Sequence, residues 1–351
     1  MKFKKYFILF IFSCTALSSY SQTGANATFE FLRMPVSAKA IALGGYAIAP
    51  QNNDISLAAF TPSLLNENLD RNFALNHEIL FGGIQHGQVS YARFSKKNNI
   101  TFAGNIQYIN YGNFIRTDDA GATHGHFGAE ETALQFGFGK RLNPLFSYGA
   151  NAKLIVSRFD NLVATGIATD ISASYNDTAK KIAFTFLIKN AGVQLKKYQY
   201  NNYIDNFGNE IFPTDALIGF SKRLAHIPFA LHVTAHHLTK WNIRYFNAAD
   251  NISTSILNAD TSNSTKSKKY IADKIFRHLN FAGEFFLGKS LSVQIGYNNL
   301  RRQELKTTSR NGLIGFSGGF QIKTKKFTIG YARAWYYLPS ASNTLSLSFV
   351  I

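Results

Sequence analysis

The chain has one cysteine, Cys14, and it lies in a segment that we expect to be removed. A mature chain without cysteine has no disulfide framework and no thiol chemistry. Charged residues are also few: they make up 16% of the chain, against about a quarter of a typical soluble protein. These shortages argue against a small disulfide-stabilised protein, a thiol enzyme and an ordinary soluble domain.

After residue 21 the sequence has no apolar run long enough for a spanning helix. The residues before that point begin with Lys2, Lys4 and Lys5, continue with a short apolar stretch and end in small residues. This layout is typical of a secretory signal peptide. We therefore expect 1–21 to be a signal peptide, 22–70 an N-terminal plug or periplasmic segment, and 71–351 the main domain.

Aromatic residues are abundant: the chain has 32 Phe and 17 Tyr. From about residue 71, apolar residues alternate with small or polar ones, as in the stretch 182–188. Period-two alternation predicts strands with one apolar face, and runs of about ten residues suit strands that cross a bilayer at a tilt. The fold class expected is all-β, a transmembrane antiparallel β-barrel with a short N-terminal plug segment.

We predict about fourteen strands, at 71–81, 83–94, 99–111, 129–142, 145–158, 162–175, 181–190, 213–224, 227–238, 276–287, 290–298, 311–322, 327–335 and 342–351. The turns after even-numbered strands are short. The longest connections, 112–128, 191–212 and 239–275, all follow odd-numbered strands. Outer-membrane barrels place short turns in the periplasm and longer loops outside, so the loop lengths independently favour a barrel. The expected location is the outer membrane, after export.

The net charge of +17 suggests anionic partners. The basic residues are scattered along the sequence, and an exported protein rarely meets nucleic acid, so nucleic acid is excluded. Lipopolysaccharide phosphates, outer-membrane lipid and acidic protein surfaces remain as partners. In the long connection 239–275, Lys266, Lys268 and Lys269 form a candidate docking site.

Few residues suggest chemistry. Lys153 and Asp170 lie on the apparent lumen face of one hairpin, and we predict an ion pair between them. The histidine pairs are weak metal signals, since His232 and His236 are about 13 Å apart along a strand. There is no Gly-x-Ser-x-Gly motif. The sequence therefore predicts no catalytic residue, no cofactor and no metal site.

Residues 31–45 read FLRMPVSAKAIALGG, and this stretch resembles the opening motif of the PorV and PorQ barrels of the type IX secretion system. Its candidate plug residues are Phe31, Pro35, Gly44 and Gly45, together with Pro62 further on. Residues 60–65 resemble the Asn-Pro-Ala segment of fatty-acid-transporter-like barrels, with Thr61 in place of Asn. Residues 106–112 and 117–130 are more similar to PorQ than to PorV.

The resemblance implies a fourteen-stranded barrel related to fatty-acid-transporter barrels. It also implies a role: PorQ proteins hold the surface protein PorZ, and with PorU and PorV they form the complex that attaches cargo. The protease chemistry of that complex belongs to PorU. The resemblance thus predicts a non-enzymatic secretion component that anchors a PorZ-like surface protein. Two alternatives stay open: an uptake barrel for hydrophobic compounds, and a PorV-like shuttle that binds cargo C-terminal domains.

Overall fold

The computed structural model describes residues 27–50, 53–199, 211–243, 271–305, 312–336 and 341–351. These residues form a closed antiparallel barrel of fourteen strands, in which each strand pairs with its neighbours in sequence and β1 closes on β14. The predicted fold class and strand number are confirmed. The strands are β1 (Asn72–Ile79), β2 (Gln85–Ser95), β3 (Ile100–Thr117), β4 (Thr123–Arg141), β5 (Phe146–Phe159), β6 (Leu162–Asp177), β7 (Ile182–Lys196), β8 (Asp215–Arg223), β9 (Phe229–Ala235), β10 (Leu279–Leu287), β11 (Leu291–Asn298), β12 (Phe316–Lys323), β13 (Phe327–Ala334) and β14 (Ser342–Val350).

The two faces of each strand differ as the alternation predicts. In β5, Leu154 and Val156 are exposed on the outer face, whereas Asn151, Lys153 and Ser157 are buried on the inner face. An apolar outer face suits lipid, and a polar inner face is typical of a barrel lumen. Among the described residues, no helix is long and apolar enough to cross a bilayer.

The barrel wall is much taller on one side. β3 and β4 contain 18 and 19 residues, whereas β9 contains 7. About ten tilted residues cross the bilayer, so the β3–β4 hairpin extends past the membrane at the long-loop end. The prediction of a loop at 112–128 was therefore wrong. Most of that range is paired strand, and the turn itself spans only 118–122.

Smaller differences occur at the other long connections. β7 continues to Lys196, inside the predicted loop 191–212. β10 and β12 begin three and five residues later than predicted, at Leu279 and Phe316, and residues 271–277 before β10 are helical. A further helix, α3 (Asn299–Leu305), lies in the connection between β11 and β12. The predicted signal peptide and the candidate docking residues Lys266, Lys268 and Lys269 lie outside the described residues.

The N-terminal part of the chain precedes β1 as a series of short helical turns. They are α1 (Ala38–Ala42), α2 (Ile55–Phe60) and the 3-10 turns Glu30–Arg33, Pro62–Leu64 and Glu67–Leu69. Side-chain caps start both α-helices, because Ser37 accepts a hydrogen bond from Ala40 N and Asp54 accepts one from Ser56 N. Another 3-10 turn, Phe81–Gly83, joins β1 to β2.

Candidate functional site in the barrel lumen

The N-terminal segment, defined here as residues 29–69, contacts strands on every side of the barrel. α1 packs on β11–β14, α2 packs on β1–β3, and the turn Pro62–Leu64 packs on β4–β6. A single segment that touches the inner faces of opposite walls must lie in the lumen. The candidate functional site is therefore the filled interior, where this segment meets the polar faces of the strands.

A buried ion pair holds α1 to the wall. Lys39 Nζ lies 2.6 Å from Glu284 Oε1 on β10, and both side chains are 3% exposed. Gln294 on β11 donates a second hydrogen bond to the same carboxylate oxygen at 3.0 Å. The backbone N–H of Ala38 donates to Ser346 Oγ on β14 at 2.8 Å. Because buried charges are costly unless paired, this contact strongly favours one position of α1.

The predicted pair Lys153 and Asp170 meets on the opposite side of the lumen. Lys153 Nζ lies 2.7 Å from Asp170 Oδ2, and both side chains are almost fully buried. Asp170 is directly opposite Asn151 in the ladder, so Lys153 reaches it diagonally. The two charges and their neighbours form a network that faces the N-terminal segment.

Asn190 on β7 completes this network and is a residue that the sequence does not predict. Its side-chain oxygen accepts a hydrogen bond from Lys153 Nζ at 2.6 Å, and its backbone N–H donates a hydrogen bond to Asp170 Oδ1 at 2.7 Å. Its side-chain amide reaches the carbonyl of Leu32 in the N-terminal segment at 3.4 Å. Asn190 has φ +56, a conformation that asparagine tolerates better than most residues. An asparagine inside a predicted strand was the available signal.

Amide side chains hold α2 and its neighbours. Gln135 and Asn151, from adjacent strands, both donate to the carbonyl of Ala59. Gln107 donates to the carbonyl of Phe31 at 3.1 Å. These side chains satisfy carbonyls that would otherwise be buried without partners, which would cost free energy.

The predicted plug residues all contact the interior. Phe31 is buried in an apolar cluster with Phe29 and wall residues, and Pro62 opens the 3-10 turn that packs on β4–β6. Gly44 has φ +86, and a Cβ placed on it would lie 2.0 Å from Asn280 Oδ1 on β10. A side chain there would strain the positive φ and require the Asn280 side chain to shift, so glycine suits this position. Gly45 also has a positive φ, and its neighbour across the turn is Pro35.

A small central cavity of about 50 Å³ lies between the segment and the wall. Leu57 and Phe60 of α2 line it from one side, and Leu187 and Leu217 of β7 and β8 from the other. Lys189 also lines it, with its Nζ 4.9 Å from the centre of the Phe60 ring. The cavity has room for a few water molecules and for nothing larger in this conformation.

Two clefts open at the end of the barrel where the short turns lie. One has a volume of about 720 Å³ and the other about 420 Å³. Ser63 and Leu65 line the larger cleft, whereas Phe60 and Thr61 line the central cavity. Residues 60–65 therefore separate the cavity from the short-turn end.

A histidine layer covers the segment at the long-loop end. The Tyr46 ring stacks on His236 with centres 4.0 Å apart, and His236 Nδ1 lies 2.7 Å from His237 Nδ1. His278 Nδ1 contacts the carbonyl of His236 at 2.8 Å. Burial, together with the nearby Arg33 and His278, lowers the pKa of His237 to about 3. Burial also lowers the pKa of His236 well below its usual value, so both rings are neutral at neutral pH.

No protein-family model matches this sequence, and no curated protein matches it. The fold is similar to solved structures. The toluene transporter TodX of Pseudomonas putida aligns with a TM-score of 0.53 at 10% identity, over 90% of this chain and 98% of that chain. The CymD monoaromatic hydrocarbon channel aligns with a TM-score of 0.52 at 10% identity, over 92% of this chain and 99% of that one. This chain therefore has the fold of outer-membrane hydrocarbon channels.

Proposed function

We propose that this protein is a non-enzymatic outer-membrane barrel that admits a small hydrophobic compound, with its N-terminal segment as the plug. The observation that carries the proposal is the fold shared with a toluene transporter and a monoaromatic hydrocarbon channel along nearly the whole chain. The likeness includes the complete barrel, since the alignments cover nearly all of both relatives.

The central cavity supports a path through the lumen. Leu57, Phe60, Leu187 and Leu217 make most of its wall apolar, which suits a hydrocarbon. Its lining also includes the charged residues Arg33, Lys189 and Asp215. Residues 60–65 close it towards the larger cleft at the short-turn end. Passage of a compound from the central cavity to the larger cleft requires residues 60–65 to move and the cavity to widen.

The contacts of the N-terminal segment indicate which part moves. α1 is fixed by the Lys39–Glu284 ion pair, whereas α2 is held by neutral amide bonds such as those from Gln135 and Asn151. Neutral hydrogen bonds contribute about 1 kcal/mol each, less than those to charged groups. In this proposal α1 remains the anchor and the α2 side yields to the compound.

Uptake measurements in cells test the proposal. A strain that lacks the gene takes up radiolabelled toluene more slowly than the same strain complemented with the full chain. A labelled hydrophilic sugar serves as the control, and its entry is the same in both strains. Equal toluene uptake in the two strains would contradict the proposal, and faster sugar entry on complementation would indicate a non-selective pore instead.

A second candidate is the anchoring role in type IX secretion, and the observation that favours it is the position of residues 31–45. The stretch that resembles PorQ is the one that fills the lumen, where Phe31 and Lys39 bind the wall. The tall β3–β4 hairpin offers a rigid surface at the long-loop end for a PorZ-like partner. The PorU/PorV complex, lipopolysaccharide and the lysines at 266, 268 and 269 belong to this candidate.

Purification of the tagged barrel in gentle detergent tests this second candidate. Recovery of a PorZ-like surface protein, lost when residues 244–270 are shortened, would support it. Deletion of the gene would then leave secreted cargo unprocessed or detached from the surface. A deletion strain that still processes and attaches its cargo would exclude the secretion role.

A further inference from the structure

Basic residues collect at the short-turn end of the barrel, although they are scattered in the sequence. Every short turn, or a strand end beside it, carries at least one of them. They are Arg71, Arg93, Lys96, Lys97, Lys140, Arg141, Lys180, Lys181, Lys222, Arg223, Lys289, Lys323, Lys325 and Lys326. The acidic residues near these turns are few, chiefly Glu67, Asp70 and Asp177. Alternating strand direction brings these turns together at one end.

Several of these cations point into the two clefts of the barrel mouth. Lys181 lines the larger cleft, Lys289 and Lys323 line the smaller one, and Arg223 lines both. Arg223 and Asn53 line both clefts, so the two clefts are adjacent. Because parts of the N-terminal segment also line them, the clefts lie inside the ring of strands, away from the surrounding lipid.

Most of the cations that line the clefts have no carboxylate partner among the described residues, and the Arg223 guanidinium lies 4.2 Å from the centre of the Phe286 ring. Arg141 is paired with Glu67 at 2.9 Å, and Lys180 is near Asp177 at 3.7 Å. In contrast, within the part of the chain that the structure describes, Lys181, Lys289 and Lys323 form no ion pair. The lining of the larger cleft includes no carboxylate, and asparagine and serine side chains make up much of the rest. The smaller cleft is lined by two carboxylates that have partners within the protein: Glu284 is paired with Lys39, and Asp54 caps α2.

We propose that these two clefts form a docking site for an acidic peptide segment of a periplasmic protein. Four cations without a carboxylate partner in the described part of the chain, spread over two adjacent clefts, fit several carboxylates in a row, rather than one small anion. The asparagine amides can donate hydrogen bonds to a peptide backbone. Short turns face the periplasm in outer-membrane barrels, so a periplasmic protein can reach this end. The larger cleft also lies where the proposed passage of a hydrophobic compound would emerge, but peptide binding rests on the charges of the clefts and does not depend on that passage.

Binding of a synthetic acidic peptide tests the site. The probe is a fluorescein-labelled peptide of alternating glutamate and glycine, added to the full-length mature barrel in detergent and followed by fluorescence anisotropy. We expect binding that weakens as salt rises, because ions screen exposed charges. A peptide of alternating lysine and glycine does not bind. Equal binding of the acidic and basic peptides, or none of the acidic one, would overturn the proposal.

Two matched variants locate the site. Changing Lys181, Arg223, Lys289 and Lys323 to Glu weakens binding by about tenfold or more, which corresponds to about 1.4 kcal/mol. The control changes the same number of basic residues at the same end, Lys96, Lys97, Lys325 and Lys326, none of which lines either cleft. The control weakens binding by about threefold at most, as expected for charges at the rim of an interface. An equal loss in both variants would show attraction to the rim alone and overturn the proposal.

Two further measurements check that the variants are folded and that the site binds a peptide rather than a lipid headgroup. Far-UV circular dichroism and the heat-dependent gel shift confirm that each variant is folded. The milder pair Lys181→Gln and Lys289→Gln gives a smaller loss in the same direction. In the same binding assay, we expect the peptide to stay bound when micelles that contain phosphatidylglycerol are added. Displacement of the peptide by these micelles would assign the site to lipid headgroups and overturn the proposal.

Discussion

Lys39 and Glu284 are 245 positions apart in the sequence, yet their charged atoms lie 2.6 Å apart in the interior of the barrel. One belongs to a five-residue helix in the lumen and the other to the wall. The pair fixes the position of the N-terminal segment and therefore the state of the lumen.

Replacing Lys39 with Met should loosen α1. The carboxylate of Glu284 would remain buried without its partner, which costs about 3–5 kcal/mol. Hydrogen exchange at residues 38–45 should accelerate in Lys39→Met and recover largely in the double variant Lys39→Met, Glu284→Gln. The variant Arg158→Met removes an exposed pair with Glu130 and serves as control. Equal exchange in Lys39→Met and the natural protein would show that the pair does not hold α1.

A side chain at Gly44 should displace the segment. Gly44→Ala places a Cβ against Asn280 and also strains a positive φ, whereas Gly82 has φ +68 and open space around it. The matched variant Gly82→Ala therefore shows the backbone strain alone, about 1–2 kcal/mol. Gly44→Ala should lose about 1–3 kcal/mol more in chemical unfolding, because of the overlap. Similar losses in both variants would mean that Asn280 can move aside.

Two substitutions at Asn190 should separate its two roles. Asn190→Gly keeps the positive φ and removes the side-chain oxygen that accepts a hydrogen bond from Lys153. The buried Lys153 ammonium then has one hydrogen-bond partner fewer. Asn190→Ala adds backbone strain of about 1 kcal/mol or more. We expect both to destabilise the barrel in urea titrations, with Asn190→Ala the worse. If Asn190→Gly matched the natural protein, the hydrogen bond to Lys153 would be unimportant for stability.

Acid should loosen the histidine layer at the long-loop end. The folded pKa of His237 is about 3, and that of His236 is also well below the unfolded value of about 6.5. The unfolded state therefore binds more protons between these values, so the stability present above pH ~6.5 is lost as the pH falls towards ~3. His237 contributes at most about 1.4 kcal/mol per pH unit in that window, and His236 changes the stability in the same direction. Hydrogen exchange at residues 43–48 measures this, and the double variant His236→Gln, His237→Gln should flatten the pH dependence.

The sequence was sufficient for the barrel and insufficient for most of the interior. Alternation reveals strands wherever one face meets lipid, so the membrane-embedded parts of all strands could be predicted. Beyond the membrane both faces of the β3–β4 hairpin meet water, the alternation fades, and 112–128 resembled a loop. The contact of Lys153 with Asp170 followed from hairpin geometry, since the strands are consecutive.

Contacts between distant parts of the chain left no local pattern. The partner of Glu284 is a lysine in the N-terminal segment, and only the closed barrel brings them together. The cluster of basic residues at the short-turn end likewise has no local pattern in the sequence. Each turn holds one or a few cations, which looked scattered in sequence, and the strand topology gathers them.

Disulfide bonds that lock the N-terminal segment to the wall test most directly whether a compound passes beside that segment. A Cβ at Gly330 would lie 3.4 Å from Ala38 Cβ and 3.6 Å from Ser346 Cβ, distances near the ~3.8 Å typical of disulfides. The pair Ala38→Cys, Gly330→Cys tethers α1 to β13, whereas Gly330→Cys, Ser346→Cys joins two wall strands and leaves the segment free.

Because α1 is the proposed anchor, oxidation of either of these two cysteine pairs should leave toluene uptake unchanged. Movement of the stretch that leads into α2 is tested by a second tether, Ala49→Cys with Gly219→Cys, whose Cβ atoms would lie 3.2 Å apart near the central cavity. Ile48→Ala is added to this pair and to its reduced control, because Ile48 Cγ1 lies 2.6 Å from the new Cβ. Oxidation of this pair should reduce labelled toluene uptake by about tenfold or more, and reduction should restore it. Full uptake with the oxidised Ala49–Gly219 tether would contradict passage beside the N-terminal segment.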